Sequence, residues 1–399
     1  MEFNENEDLM YEHEDPYEKR INKGNVVFFC LVLCFSLIIG LGTVMNILSN
    51  DREFSESENR VLASFPKLTI SSLADGSFMK SFETYMADQF IFRDKLISAK
   101  TYFDRLSGKK EENGVYIGEE GFLIEKQSEY NKKKVKALTK SINTFMKKYP
   151  DAKKMVAISP NASYVYADKL PENIEMSNQF DQLTKIMNSL EGKNYTFLNV
   201  SKALLKAGEK HQIFYKTDHH WTTRGAYAVF QSISDKWGIN TSKVPYEFMT
   251  VSAGFEGTLA SKTGIHDVND KVEICLPKNS KGTYVVSYES QDKKTASLFD
   301  ADKLNQKNKY EVFLGGNYDK VVIDTVSTSK NTLLIIKDSY ANCLIPMLTP
   351  YFAKIVVVDP RYMTDSIHTV MEEYSFSHVL FLYNLNTFLQ DTSLESAMK

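Results

Sequence analysis

Leu333-Leu-Ile-Ile-Lys-Asp-Ser-Tyr-Ala-Asn342 sets a short, unbroken apolar run against a polar turn and a helical pattern. Such a run, ending at Lys337, Asp338 and Ser339, reads as a strand buried on both faces. It begins at Thr332, and runs of the same character stand at Met155–Ser159, Thr196–Val200, Lys354–Val358 and His378–Tyr383. Helical patterns lie between or beside them, at Met176–Leu190, Thr223–Trp237, Ser339–Leu348 and Tyr362–Glu373. Short apolar strands alternating with helical crossovers predict an α/β fold, a parallel sheet covered by helices on both faces. Residues 240–330 are richer in Gly, Ser, Asn and Lys and weakly periodic, and read as a β and loop insertion.

Upstream, Lys132–Lys148 is a Lys-rich amphipathic helix whose charge is a solvated face. Asn113-Gly114, followed by Val115–Gly118 and Gly121–Ile124, reads as a tight hairpin. Ser71–Ser107 has helical periodicity, and the polar residues 48–70 read as an extended stalk. Val26–Ile47 is an uncharged run of 22 residues. About 20 apolar residues cross the hydrocarbon layer as a helix. This run has no polar stripe, is longer than a signal-peptide core, and has a poor cleavage site behind it. It therefore predicts an uncleaved N-terminal transmembrane helix. Lys19, Arg20 and Lys23 precede it and Arg52 is the only base close behind, which places residues 1–25 in the cytoplasm. The predicted layout is a cytoplasmic tail (1–25), a transmembrane helix (26–47), a stalk (48–70) and an extracytoplasmic domain (71–399).

Composition narrows the function class. The chain has 399 residues, 43% of them hydrophobic, with 18 Gly and 10 Pro, so it is neither disordered nor collagen-like. Eight acids against three bases in residues 1–25 account for the net charge of −3; the remainder carries 45 bases and 43 acids. Without a basic stripe, nucleic acid is excluded as the main partner. Cys30 and Cys34 lie in the anchor, and Cys275 and Cys343, far apart outside it, allow one disulfide but no zinc pattern. Seven Arg against 41 Lys favours a bacterial source.

The densest titratable cluster is Phe214-Tyr-Lys-Thr-Asp-His-His-Trp-Thr-Thr-Arg-Gly-Ala-Tyr-Ala228. Asp218 and His220, two apart, project the same way from an extended turn, so the carboxylate can hold the imidazole as general-base catalysis requires. Ser339 stands just outside the carboxyl end of a strand, where reactive groups of open α/β sheets collect. The helix amides after it would face an oxyanion. Each feature has a plainer reading, an Asp–His surface pair and an N-cap. Together they supply a nucleophile, a base and the base's orienter, in the chain order Asp218, His220, Ser339. Asp218, His219, His220 and His266-Asp267 are also possible metal ligands, but adjacent ligands seldom converge on one ion and no His-x-x-x-His spacing occurs. No metal or cofactor is expected.

The run TDHHWTTRGAY resembles the signature of the DHHW family, bacterial relatives of the SGNH hydrolase-like alginate O-acetylation proteins. Further blocks resemble the family in order: Phe54–Arg60, Asp88–Asp94, Asn113–Gly118, Phe255–Thr258, Lys337–Asn342 and Asp359–Tyr362. The resemblance implies an SGNH-like fold, Ser339 as nucleophile, His220 as general base and Asp218 as its orienter. His219 fills the variable position of the Asp-x-His pattern. Arg361 would stabilise charge or orient substrate, and Tyr340 and Asn342 would line the site. Lys337-Asp338 stands where such hydrolases show Gly-Asp, and no Gly-x-Asn block is obvious. The side-chain oxyanion donor is thereby unassigned, with Asn384 at a strand end as a candidate. The activity implied is O-acetyl transfer to an exported polysaccharide, or its esterase counterpart, with a membrane-bound acyltransferase supplying acetyl groups. The alternative is a non-catalytic polysaccharide-binding or assembly module.

Overall fold

The computed structural model describes residues 16–55, 60–174, 176–191, 195–278 and 284–399. It divides into two compact units, Met1–Ser55 with Arg60–Leu96, and Glu56–Asn59 with Ile97–Lys399. In the first, the expected transmembrane segment lies within one helix, Pro16–Leu48, whose uncharged stretch Asn25–Asn46 is long and apolar enough to cross a membrane. Most of the expected cytoplasmic tail, residues 1–15, lies outside the described residues. The expected helical segment Ser71–Ser107 forms three helices, Ile70–Ala74, Ser77–Asp88 and Arg93–Leu106. Gly76 and Phe92, both at positive φ, mark the breaks.

The second unit is built on an eight-stranded sheet: β1 (Lys153–Ser159), β2 (Tyr195–Asn199), β3 (Tyr284–Tyr288), β4 (Lys293–Thr295), β5 (Lys320–Thr325), β6 (Thr332–Lys337), β7 (Lys354–Val358) and β8 (His378–Asn384). The spatial order is β4-β3-β5-β7-β6-β8-β1-β2. The five strands from β7 to β2 are parallel, as the apolar runs require. Strand β6 lies between β7 and β8 and is buried on both faces. Leu333 and Ile335 join the core that holds Phe214, Trp221 and Phe230, whereas Leu334 and Ile336 join the one that holds Phe145 and Phe381. Side chains two apart on a strand share a face, so this one strand belongs to both cores.

The expected parallel sheet is present, and β3, β4 and β5 add antiparallel pairings at one edge of it. All three begin within residues 240–330, so that region is partly a continuation of the sheet and not an insertion outside it. Its remaining β structure is a separate ribbon, Tyr246–Phe255 with Asp270–Pro277. The helical pattern over Ser339–Leu348 is also broken. It forms a 3-10 turn at Ser339–Ala341 and a four-residue helix at Ile345–Leu348, with Pro346 in the first turn of the latter. A proline lacks the N–H and crowds the preceding turn, so the two pieces cannot merge. Similarly, only Ile367–Glu373 of the Tyr362–Glu373 pattern is helical, capped by Ser366.

The Lys132–Lys148 helix buries Val135, Leu138, Ile142 and Phe145 and leaves its lysines in solvent. The Asn113-Gly114 turn holds both residues at positive φ, as a tight hairpin requires. Cys275 and Cys343 are free, buried thiols, so the permitted disulfide is not formed.

Candidate active site

Strand β6 ends at Lys337, and the chain turns at Asp338, whose carboxylate accepts from the Tyr340 amide at 2.9 Å and from the Asn384 amide at 2.8 Å. This pins the end of β6 to the end of its neighbour β8 and presents Ser339, half-buried, at the head of the 3-10 turn. The Ser339 amide makes no hydrogen bond among the described residues.

The Asp218–Trp221 loop comes to the same place. Ser339 Oγ lies 2.7 Å from His220 Nε2, and His220 Nδ1 lies 2.5 Å from Asp218 Oδ1. Asp218 and His220 are both buried. The other oxygen of Asp218 accepts from the Thr258 amide at 2.8 Å and the Thr258 hydroxyl at 3.0 Å. A carboxylate gripped on both oxygens by donors favours its charged form. Burial alone would raise the Asp218 carboxyl, but His219, His220 and the Thr258 amide hold it well below the usual carboxylate range. Burial pushes the His220 imidazole down to about 4, and the nearby His219 adds to this against the pull of Asp218. At neutral pH, therefore, His220 is an uncharged base facing a serine hydroxyl.

Several groups that hold this arrangement carried no role in the sequence. Gly257 passes so close to Asp218 that a Cβ there would stand 2.2 Å from the Asp218 Cβ. Asp270 holds the loop from beneath through the Lys216 and Thr217 amides, at 3.0 and 2.8 Å. Tyr310 stacks on the His220 ring at 3.8 Å between centroids, and its hydroxyl donates to the Ser339 carbonyl at 3.0 Å. Gly257, Asp270 and Tyr310, like Thr258, come from the segment read as an insertion. The Phe255-Glu-Gly-Thr258 block was the one available signal for Gly257 and Thr258. Glu125 approaches from another side, paired with Lys262 at 2.9 Å and close enough to His219 to be held down by it.

The remaining predicted residues are placed as follows. Tyr340 is buried; its hydroxyl donates to the His219 carbonyl and its own carbonyl accepts from the Trp221 indole at 2.8 Å. Asn342 is buried, donating to Gly316 O at 3.3 Å and Asn317 Oδ1 at 3.1 Å. Arg361 grips the buried carboxylate of Asp359 through Nε at 2.8 Å and Nη2 at 2.6 Å, and its charge is felt at His220 and Asp338. Lys337, the departure from Gly, donates to the same Asp359 oxygen as Arg361 Nη2, at 3.0 Å, and to Asn317 at 2.9 Å. The Asn384 amide group donates to Asn161 at 2.7 Å while its oxygen caps the following helix, so it is engaged in structure. Asp218, His219 and His220 each bring a ligand atom within 4.8 Å of the others. Those atoms already face one another or Thr258, with His219 Nδ1 2.7 Å from its hydroxyl, so the set is closed by its own hydrogen bonds.

Solved structures that share the fold include a DHHW family protein and PatB1. A DHHW family protein from Eubacterium siraeum DSM 15702 has a TM-score of 0.60 at 23% identity, covering 71% of this chain and 95% of that one. PatB1 from Bacillus cereus, solved with a sulfonyl adduct, has a TM-score of 0.61 at 18% identity, covering 71% and 98%. No curated protein matches the sequence. The profile described as "SGNH hydrolase-like domain, acetyltransferase AlgX" matches residues 115–315, just over half of the chain. On the extent of that match, the chain belongs to the SGNH hydrolase-like family of the acetyltransferase AlgX.

Proposed function

We propose that the protein is a membrane-anchored serine O-acetyltransferase acting on an exported or cell-surface polysaccharide. The observation that carries this reading is the line from Asp218 Oδ1 through both nitrogens of His220 to Ser339 Oγ, with links of 2.5 and 2.7 Å. In this reading Ser339 Oγ attacks the carbonyl carbon of an acetyl ester while its proton passes to His220 Nε2. Asp218 keeps the His220 Nδ1–H in place and stabilises the imidazolium as it forms. The Ser339 amide is the backbone donor open to the oxyanion. Collapse of the tetrahedral species returns the carbonyl, expels the donor's oxygen and hands it the proton from His220. A sugar hydroxyl then attacks the acetyl-serine with His220 again as base, and Ser339 recovers its proton. Water in place of the sugar would give the esterase. Arg361, held by Asp359, stabilises charge or orients the substrate.

The family supports acetyl transfer as the reaction class. The Asn25–Asn46 span supports anchoring by a single helix, and Lys19, Arg20 and Lys23 before it support a cytoplasmic N-terminus. A membrane-bound acyltransferase is then the acetyl supplier, and no cofactor or metal enters the scheme.

The test compares the full-length chain with Ser339→Ala and His220→Ala on an acetyl ester reporter, with and without oligosaccharide acceptors. Loss of turnover by at least about 10³-fold in both variants is expected. A sulfonyl fluoride should label the parent and not Ser339→Ala. Equal turnover by all three proteins rejects the triad, and acceptor-dependent acetylation separates transferase from esterase.

A further inference from the structure

The chain between the helices Ser77–Asp88 and Arg93–Leu106 is held against the segment that leaves the anchor. Tyr85 donates to Asp51 at 2.8 Å, Gln89 exchanges hydrogen bonds with the Arg52 backbone at 2.9 and 3.0 Å, and Asp94 pairs with Arg52 at 3.0 Å. Between these, the Ile91 amide donates to Asn46 Oδ1 at 3.0 Å. Both flanks of the turn therefore meet residue 52, whereas its tip meets residue 46, where the apolar span ends. The turn Phe90–Phe92 is thereby tied to the end of the apolar span.

Its side chains are unusual for a water-facing turn. Phe90 is 43% exposed and Phe92 56% exposed. Phe92 also has φ of +60°, a region that bulky residues avoid. An aromatic residue held in a strained backbone and turned outward combines two costs at one position, and such outliers persist where the surroundings or a function require them. Lys95 Nζ stands 5.7 Å from the Phe92 ring, so a cation accompanies the aromatic tip. On the anchor itself, Val44, Met45 and Leu48 are exposed at the same level. Aromatic rings with an adjacent cation are the composition that settles at the boundary between headgroups and acyl chains.

Resting on the reading of Asn25–Asn46 as a membrane span, we infer that Phe90 and Phe92 insert into the outer headgroup layer of the bilayer, with Lys95 toward the lipid phosphates. The turn is a second point of membrane contact that fixes the orientation of the first unit on the surface, which one helix alone leaves free to rotate. The occupant is lipid, because the depth of the turn is set by the span itself.

The test places the full-length chain in pure-lipid nanodiscs whose acyl chains carry bromine at defined depths, and reads tryptophan quenching. Trp221 and Trp237 of the parent set the baseline. Phe35→Trp, at the middle of the span, reports whether the helix crosses; Phe92→Trp reports the turn, and Phe90→Trp repeats it at a position with ordinary φ. The expected result is quenching of Phe35→Trp strongest with bromine near the chain ends. Phe92→Trp and Phe90→Trp should be quenched about twofold or more, strongest with bromine near the glycerol. Quenched Phe35→Trp with both turn variants at baseline overturns the inference and leaves the anchor standing. A turn that becomes quenched only when a membrane protein is added overturns it in favour of a protein partner. All three at baseline removes the anchor and the inference together.

Discussion

The indole N–H of Trp221 donates to the carbonyl of Tyr340 at 2.8 Å, across 119 residues of chain. The Tyr340 hydroxyl answers with a bond to the His219 carbonyl. Each of the two segments that meet at Ser339 is therefore braced by the residue next to the other's reactive group, and the distance between His220 and Ser339 is set by these neighbours.

Replacing Trp221 with Phe removes that brace while keeping an aromatic ring. The buried Tyr340 carbonyl keeps only the weak Cys343 thiol donor at 3.7 Å, a loss of about 1–3 kcal/mol. Urea denaturation should read that loss. Ester turnover should fall by about tenfold or more, since small displacements at a reacting centre carry large rate penalties. Unchanged turnover would mean that Trp221 serves packing alone.

Gly257→Ala puts a Cβ where Asp218 already stands, 2.2 Å from its Cβ. The carboxylate must move, and turnover is expected to drop about 10²-fold. Gly254→Ala is the matched control, because nothing lies within 4 Å of a Cβ built there. It should leave turnover as it is. Equal effects from both substitutions would count against the close approach of Gly257 as the cause.

The pH dependence follows from burial of His220. The neutral imidazole is the proton acceptor, so activity requires deprotonation and rises with pH through the folded-state value of about 4. The kcat/KM profile should climb between about pH 3 and 5 and be level from pH 6 to 8. Stability moves with the same sign. The folded value lies below the ordinary 6.5, so the unfolded chain takes up the proton first, and stability falls as pH drops below 6.5. Between pH 7.5 and 5, His220→Asn should lose less stability than the parent, by of the order of 2 kcal/mol. A limb centred near pH 6.5 would show that His220 titrates as an exposed imidazole.

Lys337 and Asp359 form an ion pair in which both side chains are almost fully buried. Lys337→Ala leaves the carboxylate with Arg361 and a void, and should destabilise by about 3–5 kcal/mol in chemical denaturation. Asp359→Asn combined with Lys337→Met should cost less than the two single changes added together, with a coupling above about 1 kcal/mol. Additive losses would show that Arg361 alone satisfies Asp359.

Much of the parallel half of the sheet is legible in the amino-acid sequence, because β1, β6, β7 and β8 are short apolar runs that admit few other readings. Strand β6 shows why: Leu333 to Ile336 must be apolar throughout, since neighbouring residues enter opposite cores. The antiparallel edge is not legible. β3 buries Val286 and Tyr288 but leaves Val285 half exposed, so its pattern blends into the polar loops around it. The helix expected after Ser339 fails at Pro346, which local periodicity ignores. Tyr310 carries no signal at all, as a lone tyrosine in a loop gives no sign of the ring it will stack on.

By itself the sequence determined which residue types were available for chemistry and which of them sat at turns: an Asp and a His two apart, a Ser at a strand end, and one span apolar enough for a membrane. Those are local properties, governed by spacing and by the contrast between buried and solvated positions. The tertiary structure alone decided that His220 and Ser339 lie 2.7 Å apart, that Thr258 and Gly257 close around Asp218, and that Arg361 grips Asp359. Each of these contacts joins groups set by the packing of a shared core, and no short-range pattern encodes a distance that depends on everything buried between its ends.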